Sequence, residues 1–532
     1  MTVRIMTVVM VYVVLCFVYM LQKKENVCVE AGVVSGSYDD VVAAADAFLL
    51  SDAQKKKQVQ AMREYISFES ISADETKRDD ARACATWLAE HIKTELGMSN
   101  ARLIETSGNP AVVASSSTSD KPGIVLYGHY DVQPVDPLEL WTSGPFDMVH
   151  TELDGYGEVF MARGAQDNKG GSYGALSGLI GLHSVLSGGL ASLPINVIVL
   201  IEGMEETSSA GFADFIKSNL DIFDGAELVM NADGGQPRQD VGGMALSLRG
   251  NAAAQLDVKG PDIDLHSGIH GGSILNPIVA LTRLVSSLHD PVSRRINIDG
   301  FYDDVADFSE EERAELEAGD PIDEKLEAKR LGVSELVGEV GFTTGERRTI
   351  RPCLDVLGIY SGYREEGIKT VLPSEAHAKL SFRLVKGQDP NKVLRMLDEH
   401  INKVKPVLAP GMKVTLTPFE GRAPAYSTDR ESKGYALARE VLTELYDGKD
   451  PIVYRMGGSV PATGIFLEHV GLNSVGMAFG GSDSFAHAPN ERFRVSSFQT
   501  QMKAYVRWVM KLSEEYGKTT TFDIHSKGND EL

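Results

Sequence analysis

Gly123 to Tyr127 (GIVLY) and Ile195 to Ile201 (INVIVLI) are runs of branched and apolar residues that lack the polar alternation of a strand with one wet face. Such runs predict strands buried on both sides, inside a sheet covered by helices. Around them the apolar spacing becomes helical. Gln58 to Ile71 and Asp79 to Leu96 both repeat at helical intervals, the second with Trp87 and Leu88 on one side and charges on the other. Gly170 to Leu186 predicts a helix packed closely through its glycines and alanines. Strands and helices in this order indicate α/β layering, with functional groups at strand ends.

From about Ser247 the pattern changes. ALSLRGNAAAQLDVKG alternates like a strand leading out of the first layer, and Pro277 to Leu288 predicts a helix. Asp303 to Glu339 is too densely charged for a core and predicts exposed helix. CLDVLGIYSGY, EAHAKLSFRLV and KVTLTPFEG then alternate as half-buried antiparallel strands, with helices over Pro390 to Val404 and Lys433 to Leu445. The expected organisation is a leader and linker over residues 1–41 and an α/β domain in two parts, 42–246 and 427–518. An α+β insert covers 247–426 and a polar tail 519–532.

The 532 residues exceed what one core usually supports, and 43% hydrophobic residues are enough to fill two. A net charge of −23 argues against nucleic acid and an anionic membrane surface as partners, because both need a basic face, and leaves membrane contact to the apolar N-terminal run alone. Cys16, Cys28, Cys84 and Cys353 have neither CxxC spacing nor the density of a disulfide scaffold.

Candidate chemistry lies in five separated clusters rich in glycine or small residues: GHYDVQP (Gly128 to Pro134), RGAQDNKGG (Arg163 to Gly171), EGMEETSSAG (Glu202 to Gly211), MNADGG (Met230 to Gly235) and FGGSDSFAHAPNE (Phe479 to Glu491). Singly, an HxD or an EE pair is common. Together they supply imidazole and carboxylate ligands in His129, Asp167, Glu206, Asp233 and His487, with Glu205 left over as a base. That inventory matches a two-zinc hydrolase, which needs a bridging carboxylate, terminal ligands for each ion and a base for the attacking water.

The clusters resemble those of the zinc-dependent aminoacylase, carnosinase and succinyl-diaminopimelate desuccinylase family. The wording of GHYDVQP, RGAQDNKG, GMEE and DLHSG is most similar to its cytosolic nonspecific dipeptidase and carnosinase branch, over roughly Gln58 to Leu512. The resemblance implies a di-zinc exopeptidase fold, with a mixed sheet flanked by helices and an inserted lid and dimerisation domain. It implies that His129 and Asp233 hold one zinc, Glu206 and His487 the other, and that Asp167 bridges them, with manganese or cobalt as possible substitutes. Asp131 would orient His129, and Glu205 would act as general base and acid.

In the insert, the resemblance implies that His266 of DLHSG stabilises the oxyanion in the partner subunit of a homodimer. The bland reading is a loop histidine with packing value only. Arg383 would bind the substrate's terminal carboxylate, with Thr370 and Ser459 as further contacts; on an outward face Arg383 would be an ordinary solvated residue. Asn168 stands where many relatives carry aspartate. The implied substrate is a dipeptide or short peptide with a free C-terminal carboxylate, cleaved as by a dipeptidase or carboxypeptidase. An N-acyl-amino-acid amidohydrolase and a non-catalytic scaffold on the same fold are the alternatives.

The ends leave location open. Ile5 to Leu21 is apolar and reads as a signal peptide, as a membrane anchor, or as a misassigned start. The final Asn529-Asp530-Glu531-Leu532 resembles an endoplasmic-reticulum retention address with asparagine in its first position, or is an acidic frayed tail. A secretory-pathway, membrane-anchored or endoplasmic-reticulum location and a cytoplasmic one all remain readings of these termini.

Overall fold

The computed structural model describes residues 33–117, 121–319, 321–519 and 521–525. The segments Ile5 to Leu21 and Asn529 to Leu532 lie outside these, and no helix among the described residues is long and apolar enough to cross a membrane.

The first layer is a nine-stranded mixed sheet. At its centre, Gly123–His129 lies between Asn196–Glu202 and Ala226–Asn231, parallel to both. Alternation within the apolar runs explains why they are continuous. Ile124, Leu126, Val197, Val199 and Ile201 face one core, while Val125, Tyr127, Ile198 and Leu200 face another across the sheet. Helix Lys169–Val185 is buried along nearly its whole length, against helices Tyr38–Leu49 and Val495–Gly517. Helices Phe212–Ser218 and Pro461–His469 cover the opposite face.

The insert is a four-stranded antiparallel sheet, in the order Cys353–Ser361, Glu375–Leu384, Gly250–Lys259 and Lys413–Pro418. One face packs on helices Pro277–Ser286 and Pro390–Leu408. Asn276 and Asp389 cap these helices through their side chains, each followed by a proline whose missing N–H costs nothing there.

Three expectations are corrected. Among the described residues, Asp303 to Glu339 forms two short helices, Glu310–Gly319 and Glu324–Arg330, and its charge is paired as well as exposed. The buried Glu339 receives both Nε and Nη2 of Arg351. Helix Tyr38–Leu49 begins inside the stretch read as linker, because Val41, Val42, Ala45 and Leu49 make an apolar stripe that the core takes up. Strand Phe522–His525 lies inside the stretch read as tail, pairing antiparallel with Val33–Gly36 and burying Phe522.

Candidate metal centre

Since the three central strands run parallel, their C-terminal ends lie side by side. His129 ends Gly123–His129, Glu205 and Glu206 occupy the turn after Asn196–Glu202, and Asp233 follows Ala226–Asn231 by two residues. Asp167 precedes helix Lys169–Val185 and is joined to Asn168 by a cis peptide. His487 comes from the loop after Gly480–Gly481, at a φ of 63°. The strand end and helix start approach so closely that a Cβ on Gly128 would lie 2.8 Å from Ser172 Cβ.

The six side chains converge as two triads. His129, Glu205 and Asp233 offer ligand atoms within 4.8 Å of one another, as do Asp167, Glu206 and His487. The triads meet at Asp167. Its Oδ1 lies 3.3 Å from His129 Nε2, and its Oδ2 lies 2.9 Å from His487 Nε2. Glu206 Oε2 is 3.2 Å from His487 Nε2, and Asp233 Oδ2 is 3.8 Å from His129 Nε2.

This donor set fits a pair of divalent cations. It places four carboxylates against two imidazoles in a largely buried pocket, an excess of negative charge that an interior does not tolerate unpaired. His129 Nε2 and Glu206 Oε1 are buried with no hydrogen-bond partner. Ionisation reflects the crowding. Burial pushes Glu205 well above the usual carboxylate range, and Asp233, Glu206 and Asp167 add to it against the pull of His129. Burial and then Asp167 push Glu206 up to about 7 and Asp233 to about 6. Burial would raise Asp167 as well, but the imidazoles of His129 and His487 beside it hold it below its ordinary value. His487, hydrogen-bonded first to Asp167 and then to Glu206, is raised to about 11.

A second layer of groups holds these side chains. His129 Nδ1 lies 3.1 Å from Asp131 O, a carbonyl that only accepts, so the neutral ring carries its proton on Nδ1 and Nε2 is the nitrogen it offers to an ion. The Asp131 carboxylate is 3.4 Å from the same ring nitrogen, and its two oxygens accept the backbone N–H groups of Glu205 and Glu206 at 3.1 and 3.0 Å. Asn168 accepts from His129 N at 3.3 Å and donates to Ala232 O at 3.0 Å, a double role that an aspartate would not fill. Gln133 Nε2 donates to Glu206 Oε2 at 2.9 Å.

Sequence reasoning assigned no role to Glu491, which is fully buried. Its carboxylate accepts from Arg163 Nη1 at 2.7 Å, Gly164 N at 3.0 Å, and Gln166 N and Asp167 N at 2.9 Å each. Burial raises this carboxyl against the pull of Arg163. The loop carrying Asp167 is thus clamped from a residue four positions after His487. Both residues stand in quoted clusters, but nothing local marks a pair 328 positions apart.

In the insert, Arg383 sits opposite the core-facing residues of Glu375–Leu384, among which Phe382 and Leu384 are fully buried. It is neither a buried orphan nor a solvated residue, since its Nη1 donates to Ser459 Oγ at 2.9 Å. His266 is exposed on the short ladder of Leu265–His266 with Val371–Leu372, and the exposed Thr370 immediately precedes the second strand of that ladder. Their contacts remain within the insert: His266 Nδ1 accepts from Gly268 N, and Thr370 O from Ser267 N.

Residues 125–511 match the model of peptidase family M20/M25/M40. The chain belongs to this family. Its resemblance to the dipeptidase and carnosinase branch is borne out by curated relatives. A Cys-Gly metallodipeptidase of Saccharomyces cerevisiae is 27% identical, over 87% of this chain and 97% of the relative. The Beta-Ala-His dipeptidase of Homo sapiens is 26% identical over 91% and 96%. Among solved structures, an M20 family metallo-carboxypeptidase from Sulfolobus solfataricus superposes with a TM-score of 0.75 at 30% identity, covering 87% of this chain and 99% of that one. The protein is therefore an enzyme of the metallopeptidase type, and the expected fold of mixed sheet, flanking helices and α+β insert is the family's.

Proposed function

We propose that this member is a two-metal exopeptidase that cleaves dipeptides or short peptides bearing a free C-terminal carboxylate. The observation that carries the reading is Asp167, whose two oxygens address histidines from separate triads, as a carboxylate bridging two ions must. His129 and Asp233 would hold one zinc, Glu206 and His487 the other; manganese or cobalt suits the same nitrogen and oxygen donors. Bound there, the ions would supply Lewis acidity toward the scissile carbonyl and make water more acidic.

The chain's own groups supply the rest. Glu205 takes a proton from the attacking water and returns it to the leaving amine, from a place beside His129 and Asp233 in their triad. Asp131 tethers the backbone of Glu205 and Glu206, so base and ligand are held in fixed relation. Arg383, with no ion-pair partner among the described residues, offers a planar fork to the peptide carboxylate, and Ser459 holds that fork.

His266 and Thr370, exposed together, suit completion of the site from a second copy in a homodimer. Because His266 Nδ1 accepts from Gly268, Nε2 carries the proton of the neutral ring and can donate to an oxyanion. The names of the relatives favour a dipeptide over an N-acyl amino acid. The test is hydrolysis of a dipeptide panel against N-acetyl amino acids, with zinc, manganese or chelator. Chelator-sensitive dipeptide cleavage is expected; preference for N-acetyl substrates would overturn the assignment, and metal-independent turnover would overturn the mechanism.

A further inference from the structure

Arg249 is the residue at which the chain passes from one sheet to the other, between Gly243–Leu248 in the nine-stranded sheet and Gly250–Lys259 in the insert. Its groups bind both sides of that junction. Toward the first domain, its N–H donates to Gly458 O at 3.2 Å, its Nε to Gly457 O at 2.8 Å, and its carbonyl accepts Ser459 Oγ at 2.5 Å. Toward the insert, its Nη1 reaches Arg351 O at 3.2 Å and Arg347 O at 3.4 Å, beside Cys353 Sγ at 3.5 Å. Cys353 is the register partner of Arg383. A Cβ on Gly457 would strike Arg348 O, so this loop packs into the junction only as glycine.

The charge is equally unusual. Among the described residues neither Arg249 nor Arg383 has an ion-pair partner, and Arg249 spends its donors chiefly on carbonyls, which cancel no charge. Burial depresses the Arg249 guanidinium, and Arg383 beside it adds to the effect against the pull of Cys353 and Asp355. Asp355, against Cys353 Sγ, tempers this charge but pairs directly with neither side chain, and two neighbouring guanidiniums without a direct counter-ion are costly until an anion arrives.

We propose that Arg249 is the positioning residue of the substrate-carboxylate subsite. It locks Ser459 and Arg383 in register across the junction between the sheets and places a second positive charge behind them. The inference rests on the peptide-carboxylate reading above. Arg249 itself does not touch substrate; it acts through Ser459 and the strand beside Arg383.

The test uses the full-length, metal-loaded enzyme on one dipeptide and its C-terminal amide, with Arg383→Met, Arg249→Met and Arg249→Lys. Wild type prefers the free acid, and Arg383→Met abolishes the preference. Arg249→Met raises KM for the acid by about tenfold or more, the scale of one lost charge-assisted interaction, while kcat for the acid moves far less. Its preference over the amide shrinks accordingly. Arg249→Lys keeps the charge but loses the fork that spans the carbonyls, and falls between the two. Equal losses on acid and amide, or an undiminished preference for the acid, overturn the positioning role; if Arg249→Met fails to fold, Arg249→Lys makes the same comparison. A wild type indifferent to the carboxylate overturns the subsite reading itself, before any variant is compared.

Discussion

Glu491→Gln removes a charge at the clamp behind Asp167 while nearly preserving shape. The native carboxylate uses Oε2 for Arg163 Nη1 and Gly164 N, and Oε1 for Gln166 N and Asp167 N. An amide has one acceptor oxygen. In either flip its NH2 faces two donors, so two buried hydrogen bonds are lost and Arg163 loses its counter-charge. Unsatisfied buried donors cost about 1–3 kcal/mol each, and breaking a buried ion pair costs about 3–5 kcal/mol. We expect a net loss of about 3–5 kcal/mol, a melting-temperature drop of roughly 6–10 °C at about 2 °C per kcal/mol, the low end for large domains. The assay is thermal and urea unfolding of metal-loaded and chelated protein, with metal affinity measured alongside. Glu491→Ala combined with Arg163→Met should recover part of the stability lost in Glu491→Ala alone, because no buried charge is then left over. A loss below about 1 kcal/mol in Glu491→Gln would refute the reasoning, since it would mean that the carboxylate charge holds nothing there.

Glu205→Gln should keep its fold and its metal but lose about 10²–10⁴-fold in turnover, read by steady-state dipeptide hydrolysis beside elemental analysis; near wild-type activity would rule out Glu205 as the base. Asp167→Asn should weaken both ions and Asp233→Asn one, so metal stoichiometry separates them, and equal losses would contradict the bridge. Metal uptake by chelated protein should expel a proton. His487 is held charged up to about pH 11 by Asp167 and Glu206, whereas ligation needs the neutral ring. Affinity therefore falls as pH falls, and calorimetric heats at pH 7 should depend on the ionisation enthalpy of the buffer; heats independent of buffer would refute this.

The sequence carried the layering and all six converging side chains, for a physical reason. Strands buried on both faces have no polar positions, so GIVLY and INVIVLI announce themselves, and their ends are where ligand-bearing turns must follow. Lys433–Leu445 appears with the expected bounds because Ser432 caps it and its apolar spacing is clean. What depended on distant pairing was not legible. Glu491 and Arg163 gain meaning only when the Asp167 loop meets the His487 loop. Arg249 looked like one polar position in an alternating strand, although the chain changes sheets there. Alternation alone left Arg383 facing either the core or water, whereas it meets Ser459, 76 positions away. The dense charge of Asp303 to Glu339 concealed a paired, buried Glu339, because composition does not reveal partners.

The ladder of Val33–Gly36 with Phe522–His525 brings the two ends of the described residues side by side, Val33 opposite His525. A short peptide joint there would close residues 33–525 into a ring without threading either core. The ring could then be reopened at the exposed insert turn of Pro410 and Gly411, leaving every ligand-bearing loop uncut. The order of residues along the backbone would change, while the cluster around Asp167 would keep its neighbours.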